Sequence, residues 1–265
     1  MGFKGLDQLR KHVPDLRTPL GSARIGLAVL LVFGLLTAAF FAVDDLWPDW
    51  TLVWQFGALI IGFSLVSTFF RQRKAFITRW GEMAYRNAFA CYVLTGLPVI
   101  FAVVAHTGYM PGPPIPLNWW TPGVATLGWF FFVVGSAVLI RAVFTFGADN
   151  LAMLYVYFPE EGRLVDTALY GLLRHPTYAG IVRIGIGLGL LNGNWFALAF
   201  GLFMPLGLTI WLKLIEEKEL LERFGAGYAN YRRKTPAFWP KPRDIGKFFR
   251  FLLTGDCFGQ KTPSQ

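Results

Sequence analysis

Charged residues, cysteines and histidines are all scarce in this sequence. Only 15% of its 265 residues are charged, whereas a soluble domain carries about 25%. The two cysteines form no C-x-x-C pair, so nothing indicates a disulfide framework or a zinc site. The three histidines have no second ligand at a metal-binding spacing. We therefore predict no metal site, and a chain with too few charges to cover a soluble surface.

Apolar residues are correspondingly abundant. Hydrophobic residues make up 54% of the chain, 17% of it is aromatic, and the mean hydropathy is +0.46. This surplus is too large for one soluble core and predicts that lipid is the solvent for much of the surface. The net charge of +9 could indicate a nucleic-acid partner. The basic residues flank apolar runs, however, so we predict binding to membrane lipids with anionic headgroups and no nucleic acid.

The apolar residues are concentrated in five long segments. A helix of about 20 residues crosses a hydrocarbon core of about 30 Å, so each of the first four segments predicts one crossing. The fifth is longer and is interrupted at Asn192-Gly193-Asn194, which predicts a helical hairpin with a short first helix. The fold class predicted is all-α, a polytopic transmembrane helical bundle of about six crossings, with a C-terminal helix outside the membrane. The segments are Ile25–Val43, Thr51–Phe70, Ala88–His106, Gly123–Ile140 and Ile181–Leu214.

Basic residues alternate between the two ends of these predicted crossings. The segment up to Arg24, the loop Arg71–Asn87 and the segments from Arg141 onward are basic. The loops Asp44–Trp50 and Thr107–Thr121 contain no lysine or arginine. Basic loops remain on the cytoplasmic side of a membrane. We therefore expect a multi-pass integral membrane protein of a bacterial-type cell membrane, with both termini cytoplasmic.

The stretch LLRHPTYAGIVRIG places charged residues beside a long apolar run. Proline is well tolerated in the first turn of a helix, so Pro176 predicts the start of the fifth crossing. Arg174 and His175 then lie at its mouth, where unpaired N–H groups attract anionic ligand groups. For Arg174 and Tyr178 taken singly, anchoring in the headgroup layer is the alternative. Arg183 lies about two turns further on. An ionisable residue at this depth is either functional or has a side chain long enough to extend to the membrane interface.

Two adjacent carboxylates, Glu216 and Glu217, follow the last predicted crossing. Two like charges at this position need a cationic partner, and Arg174, Arg183, Lys213 or a cationic ligand could supply it. The alternative is a solvated acidic turn balanced by neighbouring lysines. The helix that carries them is expected to break at glycines 225 and 227.

Glycines are regularly spaced in the segment Gly185-Ile186-Gly187-Leu188-Gly189. No strand precedes this segment and its third glycine is misplaced for a dinucleotide-binding loop. Small residues allow helices to approach closely in lipid, so we predict a helix–helix contact here.

The motifs RHPTYAG at 174–180 and EEKELLERFGAGYANYRRKTP at 216–236 occur in this order around the hairpin. Together with Arg141-x5-Gly147, they resemble the isoprenylcysteine carboxyl methyltransferase and phospholipid methyltransferase superfamily of integral-membrane enzymes. The resemblance covers residues 140–242. It implies S-adenosylmethionine as the cofactor, with a pocket on the cytosolic side. The cofactor-binding residues implied by the motifs are His175, Tyr178, Glu216 and Glu217, with Arg174, Pro176 and Gly180 shaping the turn.

The candidate catalytic residues are Arg183, Glu216 and Lys234. In the carboxyl methyltransferase branch, an arginine shortly before the final Val-Pro is associated with substrate handling, and Lys234 occupies that position here. The resemblance implies a membrane methyltransferase acting on a lipophilic acceptor, with a phospholipid amine, an isoprenylcysteine-like carboxylate and a small thiol all left open. The alternatives are a sterol-reductase-like enzyme that binds NADPH and a non-catalytic membrane protein.

The predicted organisation has three parts. Residues 1–115 are accessory transmembrane helices, residues 116–242 form the catalytic methyltransferase core with the cofactor pocket, and residues 243–265 are a C-terminal tail.

Overall fold

The computed structural model describes residues 4–116 and 121–255. Within these ranges the chain is a bundle of α-helices without β-strands, which confirms the predicted all-α class. The helices are α1 (Leu6–His12), α2 (Pro19–Leu46), α3 (Thr51–Arg71), α4 (Arg73–Trp80), α5 (Ala84–Ala88), α6 (Leu94–His106), α7 (Thr121–Phe146), α8 (Ala148–Leu151), α9 (Leu169–Leu172), α10 (Pro176–Asn192), α11 (Trp195–Trp211), α12 (Glu217–Lys234) and α13 (Ile245–Thr254).

Five helical segments are long and apolar enough to cross a membrane, and the protein is an integral membrane protein. The predicted hairpin is also present: α10 and α11 are joined at Gly193, which has a φ of 75°. The side chain of Asn194 caps α11 by accepting a hydrogen bond from the backbone N–H of Ala197 at 2.8 Å. With 17 residues, α10 is shorter than the five segments, as expected for the first helix of the hairpin. The five segments are Pro19–Leu46, Pro48–Arg71, Arg73–His106, Thr121–Phe146 and Trp195–Lys234.

The connections between helices collect at two ends of the bundle. At one end, His106 contacts Asp44 at 2.7 Å, and the side chain of Asn192 donates to the backbone carbonyls of Thr107 and Met110, both at 3.0 Å. The other end of the bundle contains α1, the loop after α7, the start of α10 and α12. We call this second end the basic end, and we call the end around His106 and Asn192 the opposite end.

The glycines of α10 lie against the helices on either side of it. A Cβ atom at Gly187 would lie 2.7 Å from the backbone nitrogen of Phe132 in α7. One at Gly189 would lie 2.6 Å from the carbonyl oxygen of Ala197 in α11. Because only hydrogen fits at these positions, the helices approach closely, which confirms the helix–helix contact predicted for this segment.

The last crossing, α11, continues into α12 through a π-helical turn at Leu212–Glu216. The segment Trp195–Lys234 contains 40 residues, about twice the number that a hydrocarbon core requires, so the part beyond Leu214 extends past such a core at the basic end while staying packed on the protein. Gly225 breaks the helical geometry with φ 53° and ψ −127°, as predicted. The break predicted at Gly227 is wrong, because the helix resumes after Gly225 and ends at Lys234.

Residues 245–254 form a helix that the sequence analysis assigned only to a tail. Phe248 and Phe251 of α13 are buried in the core. Arg141 of α7 donates hydrogen bonds to the backbone carbonyls of Leu252 and Leu253 at 3.3 and 3.5 Å. The C-terminal carbonyls of a helix lack partners within the helix, so Arg141 attaches α13 to the bundle by its last turn.

Candidate active site

The start of α10 is held by the chain that follows α12. Pro176 is the first residue of α10 and His175 is its N-cap. The backbone N–H groups of Arg174 and His175 donate to the carbonyl oxygens of Pro236 and Ala237 at 2.7 and 3.2 Å. The two motifs found in the sequence are therefore joined through the backbone as well as through their side chains.

The ring of His175 lies between the two adjacent glutamates. Its Nδ1 is 3.4 Å from Oε1 of Glu216, and its Nε2 is 3.2 Å from Oε1 of Glu217. Ionised carboxylates only accept hydrogen bonds, so both ring nitrogens act as donors and the imidazolium form is favoured. Burial lowers the pKa of His175, but the hydrogen bonds to Glu216 and Glu217 outweigh it and raise the pKa above its ordinary value.

Glu217 is saturated with cationic partners. Arg174 contacts its Oε1 through Nε at 3.0 Å and Nη2 at 2.9 Å, and Nη1 of Arg232 lies 3.5 Å from Oε2. Burial opposes ionisation, but the hydrogen bond from His175 and the charge of Arg174 lower the pKa of Glu217 to about 2. Arg174 also donates to the carbonyl oxygens of Arg232 and Thr235. Glu217 thus joins the start of α10 to both ends of α12.

Glu216 has a different set of contacts. The hydroxyl of Tyr178 donates to its Oε2 at 2.6 Å, and His175 faces its other oxygen. Among the residues that the structure describes, no lysine or arginine lies within ion-pair distance of Glu216. Its side chain is 20% exposed, compared with 6% for Glu217. Glu216 is therefore the carboxylate of the pair with capacity left for a cationic ligand.

Three further predicted residues lie away from this cluster. Gly180 packs on α7, where a Cβ atom would lie 2.8 Å from the backbone nitrogen of Leu139. Arg183 is 3% exposed; its Nη1 donates to the carbonyl of Ala179 at 2.8 Å, and its guanidinium lies 4.2 Å from the ring of Trp239. Lys234 is exposed at the end of α12. The structure brings neither Arg183 nor Lys234 to the glutamates, and their catalytic roles stay predictions.

The cationic partners of the glutamates were only partly foreseen. Arg174 is one of the three residues proposed for this role, whereas Arg183 and Lys213 form no ion pair with Glu216 or Glu217 in the described part of the chain. Arg232 was missed, because it follows Glu217 by fifteen residues and reaches it only through the bend at Gly225. The hydrogen bonds accepted by the carbonyl groups of residues 235–237 were also missed, because every residue has a backbone carbonyl and no side chain marks the ones that are used.

Two apolar cavities lie within the bundle, and the smaller one borders the cluster at Tyr178. The larger, of about 630 Å³, lies between α2, α6, α7 and α10. The smaller, of about 40 Å³, includes Tyr178 and Trp211 in its wall. Both are almost wholly apolar and share four lining residues, Leu97, Phe101, Val104 and Ile181. The two cavities are therefore neighbours, one beside the lipid-facing helix α2 and the other beside Tyr178, whose hydroxyl contacts Glu216.

Comparisons with known proteins find similarity to methyltransferases. A family model of phospholipid methyltransferases matches residues 124–227. The chain is 24% identical to protein-S-isoprenylcysteine O-methyltransferase B of Arabidopsis thaliana, over 56% of this chain and 73% of that protein. It is 25% identical to a probable protein-S-isoprenylcysteine O-methyltransferase of Oryza sativa subsp. indica, over 54% of this chain and 74% of that protein. No solved structure gives a significant match.

Proposed function

We propose that this chain, a membrane methyltransferase that belongs to the isoprenylcysteine carboxyl methyltransferase and phospholipid methyltransferase superfamily, transfers a methyl group from S-adenosylmethionine to a lipophilic acceptor. The observation that carries the proposal is the difference between the two glutamates. Glu217 is neutralised by Arg174 and Arg232, whereas Glu216 has no arginine or lysine partner among the described residues. A partly exposed carboxylate in that condition fits a cationic ligand.

The residues present fit the chemical groups of this cofactor. Glu216 would balance the sulfonium or the α-ammonium group. The first turn of α10 offers backbone N–H groups that suit the α-carboxylate. When bound, the cofactor supplies a methyl group on a positively charged sulfur. The hydrogen bonds from Tyr178 and His175 fix the orientation of the Glu216 carboxylate, so the protein contributes mainly positioning and the exclusion of water.

The acceptor would approach through the larger cavity. Its volume of about 630 Å³ lies within the range of about 300–1,000 Å³ typical of small-molecule sites. Its apolar wall suits a hydrocarbon chain, and the acceptor group would then lie near Tyr178 and Trp211. A carboxylate or thiolate acceptor attacks as it is, whereas an amine must be neutral and releases a proton to solvent after transfer. We propose that the basic end faces the cytoplasm and supplies the cofactor, with residues 116–242 as the catalytic core and residues 1–115 as accessory helices.

A binding measurement with one charge removed tests the proposal. We expect S-adenosylmethionine to bind the detergent-solubilised protein by calorimetry, and NADPH not to bind. Glu216→Gln should weaken binding by about 10- to 100-fold, the value of a hydrogen bond to a charged group, with little change in thermal stability. Glu222→Gln, at an exposed position of the same helix, is the matched control. Binding of NADPH alone, or equal affinity in both variants, would overturn the proposal.

The acceptor can be identified separately. Lipid extracts from cells with and without the gene should differ in species heavier by one methylene unit. Methyl groups labelled from S-adenosylmethionine should appear in the same species, and the Glu216→Gln variant should lose that label.

A further inference from the structure

A third carboxylate lies one turn beyond Glu216 on the same helix. Glu219 is 8% exposed. Its Oε1 lies 3.3 Å from Nε of Arg223 and 4.0 Å from Nη1 of Arg73 in α4. These are ion-pair distances, yet neither Oε1 of Glu219 nor Nε of Arg223 has a hydrogen-bond partner. A buried hydrogen-bond acceptor and a buried donor thus lie side by side, and neither forms a hydrogen bond of good geometry.

Such atoms are uncommon in folded proteins. A buried donor or acceptor without a partner costs about 1–3 kcal/mol, and most buried polar atoms are paired. Burial raises the pKa of Glu219 to about 7, against the attraction of Arg223 and Arg73. Repulsion from the carboxylates of Glu216 and Glu222 acts in the same direction as burial. The carboxylate is therefore poorly stabilised as it stands. Hydroxyl donors from a ligand would supply the missing hydrogen bonds.

The surroundings hold this pair in place. Arg73 donates to the carbonyl oxygen of Val156 at 2.9 Å. The loop after α8 covers the pair closely: a Cβ atom at Gly162 would lie 3.0 Å from Cβ of Tyr155 and 3.3 Å from Nη1 of Arg223. The unpaired atoms therefore lie between α4, α12 and this loop and not on a solvated helix face.

We propose that the Glu219 carboxylate accepts hydrogen bonds from the ribose hydroxyl groups of the cofactor, while Nε of Arg223 donates to a hydroxyl oxygen of the same sugar. Side chains three residues apart on a helix are separated by about 5–6 Å at Cβ. The ribose of S-adenosylmethionine is attached to the sulfonium by a single carbon, so a sulfonium beside Glu216 brings the sugar hydroxyls next to Glu219. Carboxylates are also the groups by which nucleotide sites commonly bind ribose hydroxyls. This inference rests on the proposed function.

The test compares S-adenosylhomocysteine with its 2′-deoxy and 3′-deoxy analogues. The wild-type protein should bind at least one deoxy analogue about 10- to 100-fold more weakly, as expected for a lost hydrogen bond to a charged group. Glu219→Gln should weaken binding of the parent compound by a similar factor and remove most of the difference between parent and analogue. Glu82→Gln, at an exposed position that does not act on Glu219, should change neither value. Equal affinity of the wild-type protein for all three compounds would overturn the inference.

A second readout does not depend on affinity. Because hydroxyl donors stabilise the charged carboxylate, binding should lower the pKa of Glu219 from about 7 and release a fraction of a proton near neutral pH. Calorimetry in two buffers with different ionisation enthalpies measures this release. Glu219→Gln should lack it and Glu82→Gln should retain it; the same release in both would contradict the inference. If the wild-type protein binds none of these compounds, the proposed function itself has failed.

Discussion

The bundle contains two buried histidines that face acidic groups, one at each end. At the basic end, His175 lies between Glu216 and Glu217. At the opposite end, Nε2 of His106 lies 2.7 Å from Oδ2 of Asp44, and its Nδ1 lies 2.7 Å from Oε1 of Gln55. Both rings are almost wholly buried. The two clusters differ in whether the groups around the ring still have an unbalanced charge that a ligand could pair with.

The cluster around His106 is closed. The amide nitrogen of Gln55 donates to the carbonyl of Val103 at 2.8 Å, so its Oε1 accepts from Nδ1 of His106. The remaining oxygen of Asp44 accepts from the hydroxyl of Thr51 at 2.9 Å. These bonds tie α2 and α3 to α6 and engage both ring nitrogens of His106 and both oxygens of Asp44. The cluster around His175 uses similar groups but leaves Glu216 without an arginine or lysine in the described structure, so the difference separates a packing cluster from a binding cluster.

The largest effect is expected from Glu217→Gln. An amide cannot neutralise Arg174 and the imidazolium of His175, so these two largely buried cations would lose the counter-charge that they share. Breaking a buried ion pair in this way costs about 3–5 kcal/mol. Unfolding of the purified protein in detergent should show a loss of stability of this size, whereas Glu216→Gln in the same assay should lose about 1 kcal/mol or less. Equal losses at both positions would show that the two glutamates do not differ in function as we propose.

Much of the fold could be predicted because lipid imposes simple rules. A membrane helix must satisfy its own backbone and remain apolar for about 20 residues, which is directly readable in the sequence. The turn at Gly193 and the bend at Gly225 could be predicted because a positive φ favours glycine. The ten residues of α13 carry their apolar side chains on one face, so its helical pattern was readable and was missed. Its position could not be read, because that depends on Arg141, more than a hundred residues away.

The residues that form the site could be predicted from the sequence, but the contacts between them could not. The proline at the start of α10 and the paired glutamates identify the residues involved. The sequence does not indicate which of the two adjacent glutamates pairs with Arg174. The pairing depends on how the helix is rotated about its axis beyond the last crossing, and this rotation is set by packing. The opposite cluster was not predicted at all: Asp44, Gln55 and His106 lie in three different apolar segments or their ends, and only tertiary packing brings them together.

A smaller effect is expected from pH. The pKa of His175 is raised above its ordinary value of about 6.5. Its protonated form therefore contributes stability that is fully present below about pH 6.5 and is lost as the pH rises through the folded-state pKa. One proton corresponds to at most about 1.4 kcal/mol per pH unit. His175→Gln should remove this component of the unfolding free energy measured against pH. Its persistence in that variant would assign the titration to another group.

The smallest effect is expected from Asp44→Asn, the same change of carboxylate to amide at the opposite end. Because Oε1 of Gln55 fixes the proton on Nδ1 of His106, the neutral ring presents a lone pair on Nε2, and the new amide N–H can donate to it. The amide oxygen can still accept from Thr51. No buried charge is left unpaired, so the loss of stability should be about 1 kcal/mol or less, with methyl transfer and the pH component of His175 unchanged. A loss as large as that of Glu217→Gln, or a loss of methyl transfer in the folded variant, would mean that the charge of Asp44 contributes more than the packing of α2 on α6.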